Sequence, residues 1–600
     1  MKTLKTIKKC GILVLLMLSL NKVSYGTSFT AVTSGNWDAA TTWGTESTTM
    51  ATPAFTNTGD QISIPSGITV TMDGNVTIDG SLSTLAVAGT LSGASSTYLT
   101  VTTGAVSGTG TIATGWVTFG TAAVLTFSGS ITADYYSNSV ALTLKSYANL
   151  VVNKSLTLST GILSIESGGS LTLNNNASFM MSGGTLVSDG GTLTLSSSYN
   201  VMYTSAVTTG AELTGSGLNN VTVNVSSGSS VTLNNNLNVD TLTLTSGSLD
   251  LNSKNLTING NLQSTEGATV SSTSSSNITI NTANSPTGSI AFSANGNTVN
   301  NLTINIANGG TLNFASSNSN LTVAGTLTLT KGNINIGGNT LTVAASGSIS
   351  GSGSTSYIIT GTGGYLAMSL TAGASAGSMY PVGTSTNYFP AMAQLNSGSA
   401  NGIIMVNASD NVYAHGTTGN MLSANQPLVN ATWDFTSNIS SNMNTKMTLM
   451  WSSSAEVNAF DRTKAYISHY TNGQWDVTAT ASATAEGNGM YAISRDNITS
   501  FSPFAVFDQN TAGIDRSIGS DNGNISLYPN PATNNIYVSN VLDINKSTYV
   551  EITNISGRIV GSGTLNGNNQ AIDISQLAKG CYFIRLYNQN SSIVQKFIKI

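Results

Sequence analysis

Cysteine, histidine and charge are the scarce components of this 600-residue chain. It holds two cysteines, two histidines and only 8% charged residues. Cys10 lies in the basic N-terminal stretch and Cys581 near the other end. If the leader is removed, no pair is left for an intrachain disulfide, and stability has to come from packing. Two histidines and one remote cysteine give no zinc-ligand spacing. Arginine and histidine are absent from residues 61–360. The net charge of −5 lacks the basic footprint that nucleic acid requires. No apolar run after the leader is long enough to span a bilayer as a helix.

What is abundant is Gly, Ser, Thr and Asn, set between short alternating apolar runs. Three copies of one phrase stand out: Leu156-Thr157-Leu158-Ser159-Thr160-Gly161, Leu242-Thr243-Leu244-Thr245-Ser246-Gly247 and Leu327-Thr328-Leu329-Thr330-Lys331-Gly332. Each is followed by a second alternating strand and a turn. An upstream phrase, Asn220 to Val225, returns as Asn301 to Ile306. Four- to six-residue runs of period two between Gly, Ser and Asn clusters read as strands and turns. A short strand buries its apolar face only when a repeat stacks on it, which is the logic of a solenoid. The expected fold is all-β: a right-handed parallel β-helix over residues 61–360, then a β-sandwich, then a small C-terminal β-sandwich. At roughly 20 residues per coil and about 4.8 Å between coils, the stack would hold on the order of 15 coils over ~70 Å. Leu, Ile and Val point inward; Thr, Ser and Asn face water, and Asn in turns can form ladders.

The termini differ from the repeats. Lys2, Lys5, Lys8 and Lys9 precede an apolar segment, Gly11 to Leu20, and small residues follow. Residues 1–26 therefore read as a signal peptide, cleaved between Gly26 and Thr27. Residues 27–60 carry Trp37 and Trp43 and read as a cap that plugs the open solenoid end; sugar stacking is the other reading of these rings. Residues 365–508 hold Trp433, Trp451, Trp475 and both histidines and read as the sandwich, with the tryptophans in its core rather than in a sugar platform. Residues 509–524 read as a linker.

Three segments carry family resemblances. Gly59 to Val70, followed by Asp73, is similar to the start of the G8-type domain of extracellular proteins. The stretches around Phe460-Asp461-Arg462, His469 to Trp475 and Ile498 to Phe504 resemble the sandwich that precedes the sorting tail in exported repeat proteins of the Bacteroidota. The third resemblance covers the whole tail, 525–600. Tyr528-Pro529-Asn530-Pro531 opens it, with Gly557, Gly580 and Tyr582 in the strands and turns that follow, and Lys596 and Lys599 in the final strand. Cys581 stands where the family more often has an aliphatic residue. This tail resembles a type A C-terminal sorting domain of the type IX secretion system. The resemblance implies passage across the outer membrane by that machinery, after Sec export to the periplasm, and then release or attachment to surface lipopolysaccharide. Asp240-Thr241-Leu242 also fits the short O-glycosylation acceptor pattern of these bacteria, but reads first as a plain strand start.

Chemistry is harder to find. Residues 61–360 contain nine carboxylates and four lysines. Asp73 with Asp79 and Asp240 with Asp250 are the nearest acid pairs, read as solvated turn residues rather than as the paired acids of a glycosidase or the base of a polysaccharide lyase. Asp461, Ser468 and His469 form a superficial nucleophile set without a Gly-x-Ser-x-Gly elbow. Thr-x-Thr arrays at 241–245 and 326–330 invite an ice-binding reading, set aside because they lie 85 residues apart and not on adjacent coils. The sequence thus points to a secreted or cell-surface structural, adhesin-like protein without catalytic residues, cofactor or metal, whose ligand would be a glycan or another cell surface. The alternative is a carbohydrate-active enzyme or carbohydrate-binding accessory protein.

Overall fold

A computed structural model describes residues 26–44, 52–144, 147–315, 318–424, 426–509, 526–539, 548–565, 570–587 and 592–600. The signal-peptide segment 1–25 and nearly all of the 509–524 linker lie outside the described residues. Among those described there is no α-helix. A parallel β-solenoid of about 15 turns occupies residues 61–383. By its contacts the chain forms two bodies, one ending at Asn235 and one beginning at Asn236.

In the first body each coil contributes three strands, as in Gln61–Ile64, Thr69–Met72 and Val76–Asp79. Gln61 stands beside Thr84 in the next coil, Thr84 beside Ala105, and Ala105 beside Val124. Alternation does the sorting. Ile62, Ile64, Val70, Met72, Val76 and Ile78 are all buried, and the residues between them face out. The columns continue through the stack: Leu156 lies beside Phe179, Phe179 beside Val201, and Val201 beside Val221. Ahead of the first coil, Trp37 is fully buried and Trp43 nearly so, with their rings edge to face at 5.5 Å. The Trp37 indole N–H donates to Pro53 O at 3.1 Å and that of Trp43 to Trp37 O at 2.8 Å. Burial of both rings makes them a plug and removes the faces a sugar would stack on.

The second body opens with more coils, and in them the phrase that recurs at 86- and 85-residue spacing does not mark one structural position. Leu242 stacks on Leu262, whereas Leu327 belongs to the column Leu256, Ile278, Leu302, Leu327, Ile349. The second and third copies of the repeated phrase therefore sit on different faces. The phrase encodes a strand, a turn and a strand, and any corner of the coil can use it. Turn insertions cause the drift: coil length runs from 18 residues between Tyr98 and Trp116 to 26 between Asn305 and Lys331.

Parallel pairing also continues past Thr360, since Ile358 and Ile359 pair with Val382 and Gly383. Strand Tyr365–Leu370 pairs parallel with Thr340–Val343 on one side and antiparallel with Gly402–Asp410 on the other. It is at once a rung of the solenoid and a strand of the sandwich. Thr360 and Asn407 fasten the join: Ala408 N–H donates to Thr360 Oγ1 at 2.9 Å, and the Asn407 amide donates to Gly361 O and Gly364 O at 2.8 and 2.7 Å. The sheet runs on through Leu428–Ser437, Pro503–Asp508 and Ala465–Thr471, and a second sheet holds Ala391–Leu395, Thr445–Ser452 and Met490–Ile498. Trp433, Trp451 and Trp475 are all buried. Their indole N–H groups donate to Phe389 O, Glu456 Oε1 and Tyr413 O at 2.9, 2.8 and 2.8 Å.

The tail folds as a three-stranded and a four-stranded sheet around Ile536, Val538, Val550, Ile552, Ile584 and Phe597.

Candidate functional site

The acids singled out in the sequence do not converge. Asp79 accepts from the Thr102 and Thr103 hydroxyls at 2.7 and 2.9 Å and from Gly80 N–H at 2.8 Å, which holds its carboxyl below the usual range. Asp73 is paired instead with Asp38 of the cap, and burial followed by that hydrogen bond raises its pKa. Asp250 accepts from the nearby Asn252 N–H at 3.0 Å, and Asp240 from its neighbour Thr241 at 3.4 Å.

Nor does the nucleophile set assemble. Ser468 and His469 are neighbours on one strand and so point to opposite faces. The Ser468 hydroxyl donates to Asp476 O at 2.6 Å. His469 is buried flat against Phe504 at 4.3 Å, and burial lowers its pKa. Asp461 caps a 3-10 turn, accepting from Thr463 N–H at 3.0 Å.

One carboxyl is out of the ordinary. Glu212, on the 3-10 turn Ala211–Leu213 of the first body, is fully buried. Its Oε1 accepts from Tyr203 OH at 2.7 Å and Gly210 N–H at 2.8 Å, while Oε2 has no partner. Burial pushes its pKa up. An open cleft of about 800 Å³ lies alongside, with Leu186, Thr208, Gly210, Thr214 and Asn234 in its wall. A second cleft, of about 860 Å³, lies in the second body beside Phe292 and Phe314 and includes Glu266. Neither brings two carboxylates together among its lining residues. Among the described residues, no group of three or more His, Cys, Asp or Glu gathers as metal ligands would.

The outer faces of the coils are more ordered than any pocket. In the first body Tyr98, Trp116 and Tyr135 stack on successive coils at 5.0 and 3.8 Å, nearly parallel. Lys154 sits 5.4 Å over Tyr135 and pairs with Asp134 at 2.9 Å. Rings stacked this closely spend their faces on one another and present edges to water.

In the second body Asn-x-Thr-x-Asn recurs at 255–259, 277–281 and 301–305, and pairing places the three copies on adjacent coils. The arrays at 241–245 and 326–330 do stay apart, Thr241 and Thr243 lying beside Asn261 and Gln263, but a different threonine row forms: Thr257, Thr279, Thr303 and Thr328 stack in register on successive coils. Asn255, Asn277 and Asn301 form one amide ladder at 2.7 and 2.8 Å. Asn238, Asn259, Asn281 and Asn305 form another at 2.7, 3.3 and 2.7 Å. The hydroxyls of Thr257, Thr279 and Thr303 lie between the ladders with no protein partner among the described residues. Comparing phrases about 85 residues apart conceals this face; comparing them at one coil's spacing shows it. The aromatic stack carries a similar signal, with rings 18 and 19 residues apart.

In the tail the Tyr528–Pro529 and Asn530–Pro531 peptide bonds are cis. Asn530 clamps this segment to the final strand, donating to Lys596 O at 3.1 Å and accepting from Ile598 N–H at 2.9 Å. Tyr528 stacks on Tyr537, and Gly557 takes a left-handed turn with φ +78°. Gly580 begins the strand that carries Tyr582, whose hydroxyl donates to Ala578 O at 2.8 Å and whose ring lies on Phe597. Lys596 is exposed, and Lys599 is largely buried. Residues 526–600 match the family model described as secretion system C-terminal sorting domain. The tail is a sorting domain. It marks the chain for handling by the type IX secretion machinery and for export to the cell surface or beyond. No curated protein and no solved structure matches, so the sorting domain is the part of the chain that carries a family assignment. No helix among the described residues is long and apolar enough to cross a membrane.

Proposed function

We propose that the cargo ahead of the sorting domain is a structural, adhesin-like protein of the cell surface or its surroundings, presenting solenoid coils for attachment or spacing. The supporting observation is the ordered outer face of the Asn-x-Thr-x-Asn strands at 255–259, 277–281 and 301–305, which carry no charge and repeat their polar groups coil after coil. Repeated weak contacts of this kind gain strength by multivalency. A glycan or a neighbouring cell is the partner this reading implies, and surface lipopolysaccharide is the anchor proposed for the chain. A carbohydrate-active enzyme or accessory protein is the second reading, favoured by the buried acid Glu212 beside its cleft.

The test deletes the gene from a producing strain and scores attachment of cells to polysaccharide-coated surfaces. Incubation of the purified chain with the same polysaccharides reports released oligosaccharide. Lost attachment without release supports the structural reading. Release of defined oligosaccharides replaces it with the enzyme, and unchanged attachment removes the adhesive role.

A further inference from the structure

We infer that the Asn-x-Thr-x-Asn face of the second body binds an extended, neutral polysaccharide. The inference rests on the adhesive reading above and gives it a site and a ligand class. An inner ladder amide such as Asn281 spends one N–H and one oxygen lone pair on its neighbours, which fixes its orientation without exhausting its capacity. What remains turned to solvent is a row of donors and acceptors repeating at about 4.8 Å along the coils. Between the two rows, Thr257, Thr279 and Thr303 offer hydroxyls that the protein leaves unpaired, each beside a methyl group.

Amides and hydroxyls that both donate and accept suit a ligand whose groups do the same, and sugar hydroxyls do. None of the three five-residue copies carries a charged side chain, so a sulfated or uronic-acid polymer gains no ion pair there. The face repeats and has no enclosing wall, so its ligand repeats as well; a single sugar would touch one rung and hold weakly. The backbone of adjacent coils holds the groups in place before binding, which lowers the ordering cost of association.

The experiment uses the full chain. Sedimentation with insoluble cellulose, chitin, β-1,3-glucan and mannan is compared with sedimentation on a sulfated galactan. A variant carrying Thr257→Val, Thr279→Val and Thr303→Val keeps shape and strand preference and loses only the hydroxyls. Thr279→Lys places a charge in the middle of the face, and thermal unfolding confirms that each variant is folded. The expected result is binding to at least one neutral polymer, weakened about tenfold or more in the valine variant, in line with three lost hydrogen bonds, and weakened again by the lysine. Binding by the valine variant equal to that of the parent overturns the inference, as does binding confined to the sulfated polymer. Thermal hysteresis in ice growth without polysaccharide binding overturns it in favour of an ice-binding face, and self-association lost in the lysine variant in favour of a second copy of this chain. Failure here is separable from failure of the adhesive reading. If gene deletion abolishes cell attachment while the valine variant restores it fully, the protein is adhesive through another surface.

Discussion

The solenoid coils and the sandwich solve the same packing problem in opposite ways. In the coils each apolar side chain meets its like one rung away, as Leu256, Ile278, Leu302 and Leu327 do, and polar groups bond to the corresponding residue of the next coil. In the sandwich the contacts are singular. Trp433 reaches Phe389 O, Trp451 reaches Glu456, and Arg462 holds the same Glu456 by two bonds at 2.7 Å. Repetition makes every coil nearly replaceable, whereas each sandwich contact occurs once. Damage should stay local in the first and spread in the second.

Trp433→Ala is the strongest challenge to that contrast. Emptying a fully buried indole site is expected to cost about 3–5 kcal/mol and to remove hydrogen-exchange protection across residues 391–508 while coils at 256–306 keep theirs. Uniform loss in both regions would show that they unfold as one unit. Leu302→Ala should cost roughly 2–5 kcal/mol, with lost protection confined to the rungs around Ile278, Leu302 and Leu327. Spread of that loss into the sandwich would break the comparison from the other side.

Two smaller effects sharpen it by sign. Burial raises the pKa of Glu212 in the first body's solenoid, so above the ordinary carboxyl range the folded state binds more protons than the unfolded chain, and stability falls as pH rises. Glu212→Gln should lift the melting temperature at neutral pH, with the gain shrinking as pH falls toward 4.5, the ordinary value of this group, and gone below it. In the sandwich, burial lowers the pKa of His469. Below 6.5 the unfolded chain takes up the proton first, and stability falls as pH falls. His469→Phe should flatten that acid limb in melts between about pH 6.5 and 5. A single melting transition with no pH window of either sign would remove both assignments.

The period-two alternation made buried and exposed positions readable from the sequence, because a strand face is fixed by parity alone. Gly, Asn and Ser clusters likewise announced the turns. Stacking partners were not readable. Leu242 and Leu327 sit in nearly the same local phrase, and only the lengths of the intervening turns decide which column each joins. The burial of Glu212 was hidden for a similar reason. A lone carboxylate between Ala211 and Leu213 looks like a turn residue until the rungs around it are placed. The face at 255–305 was legible in principle, as three copies of Asn-x-Thr-x-Asn at 22- and 24-residue spacing, and needed only a comparison at the length of one coil. Strand Tyr365–Leu370 shows the limit of any boundary drawn by composition, since the change of composition assigns 365 onward to the sandwich while its hydrogen bonds also make it a rung.

That shared strand bears on how such a chain changes over generations. A coil that touches only its neighbours can be duplicated or lost without disturbing the closing seam, because Thr360, Asn407 and the pairing with Gly402–Asp410 stay where they are. The number of coils is thus free to vary by recombination between similar phrases. The seam at Tyr365–Leu370 is the part that cannot be copied, and it should be the last to drift.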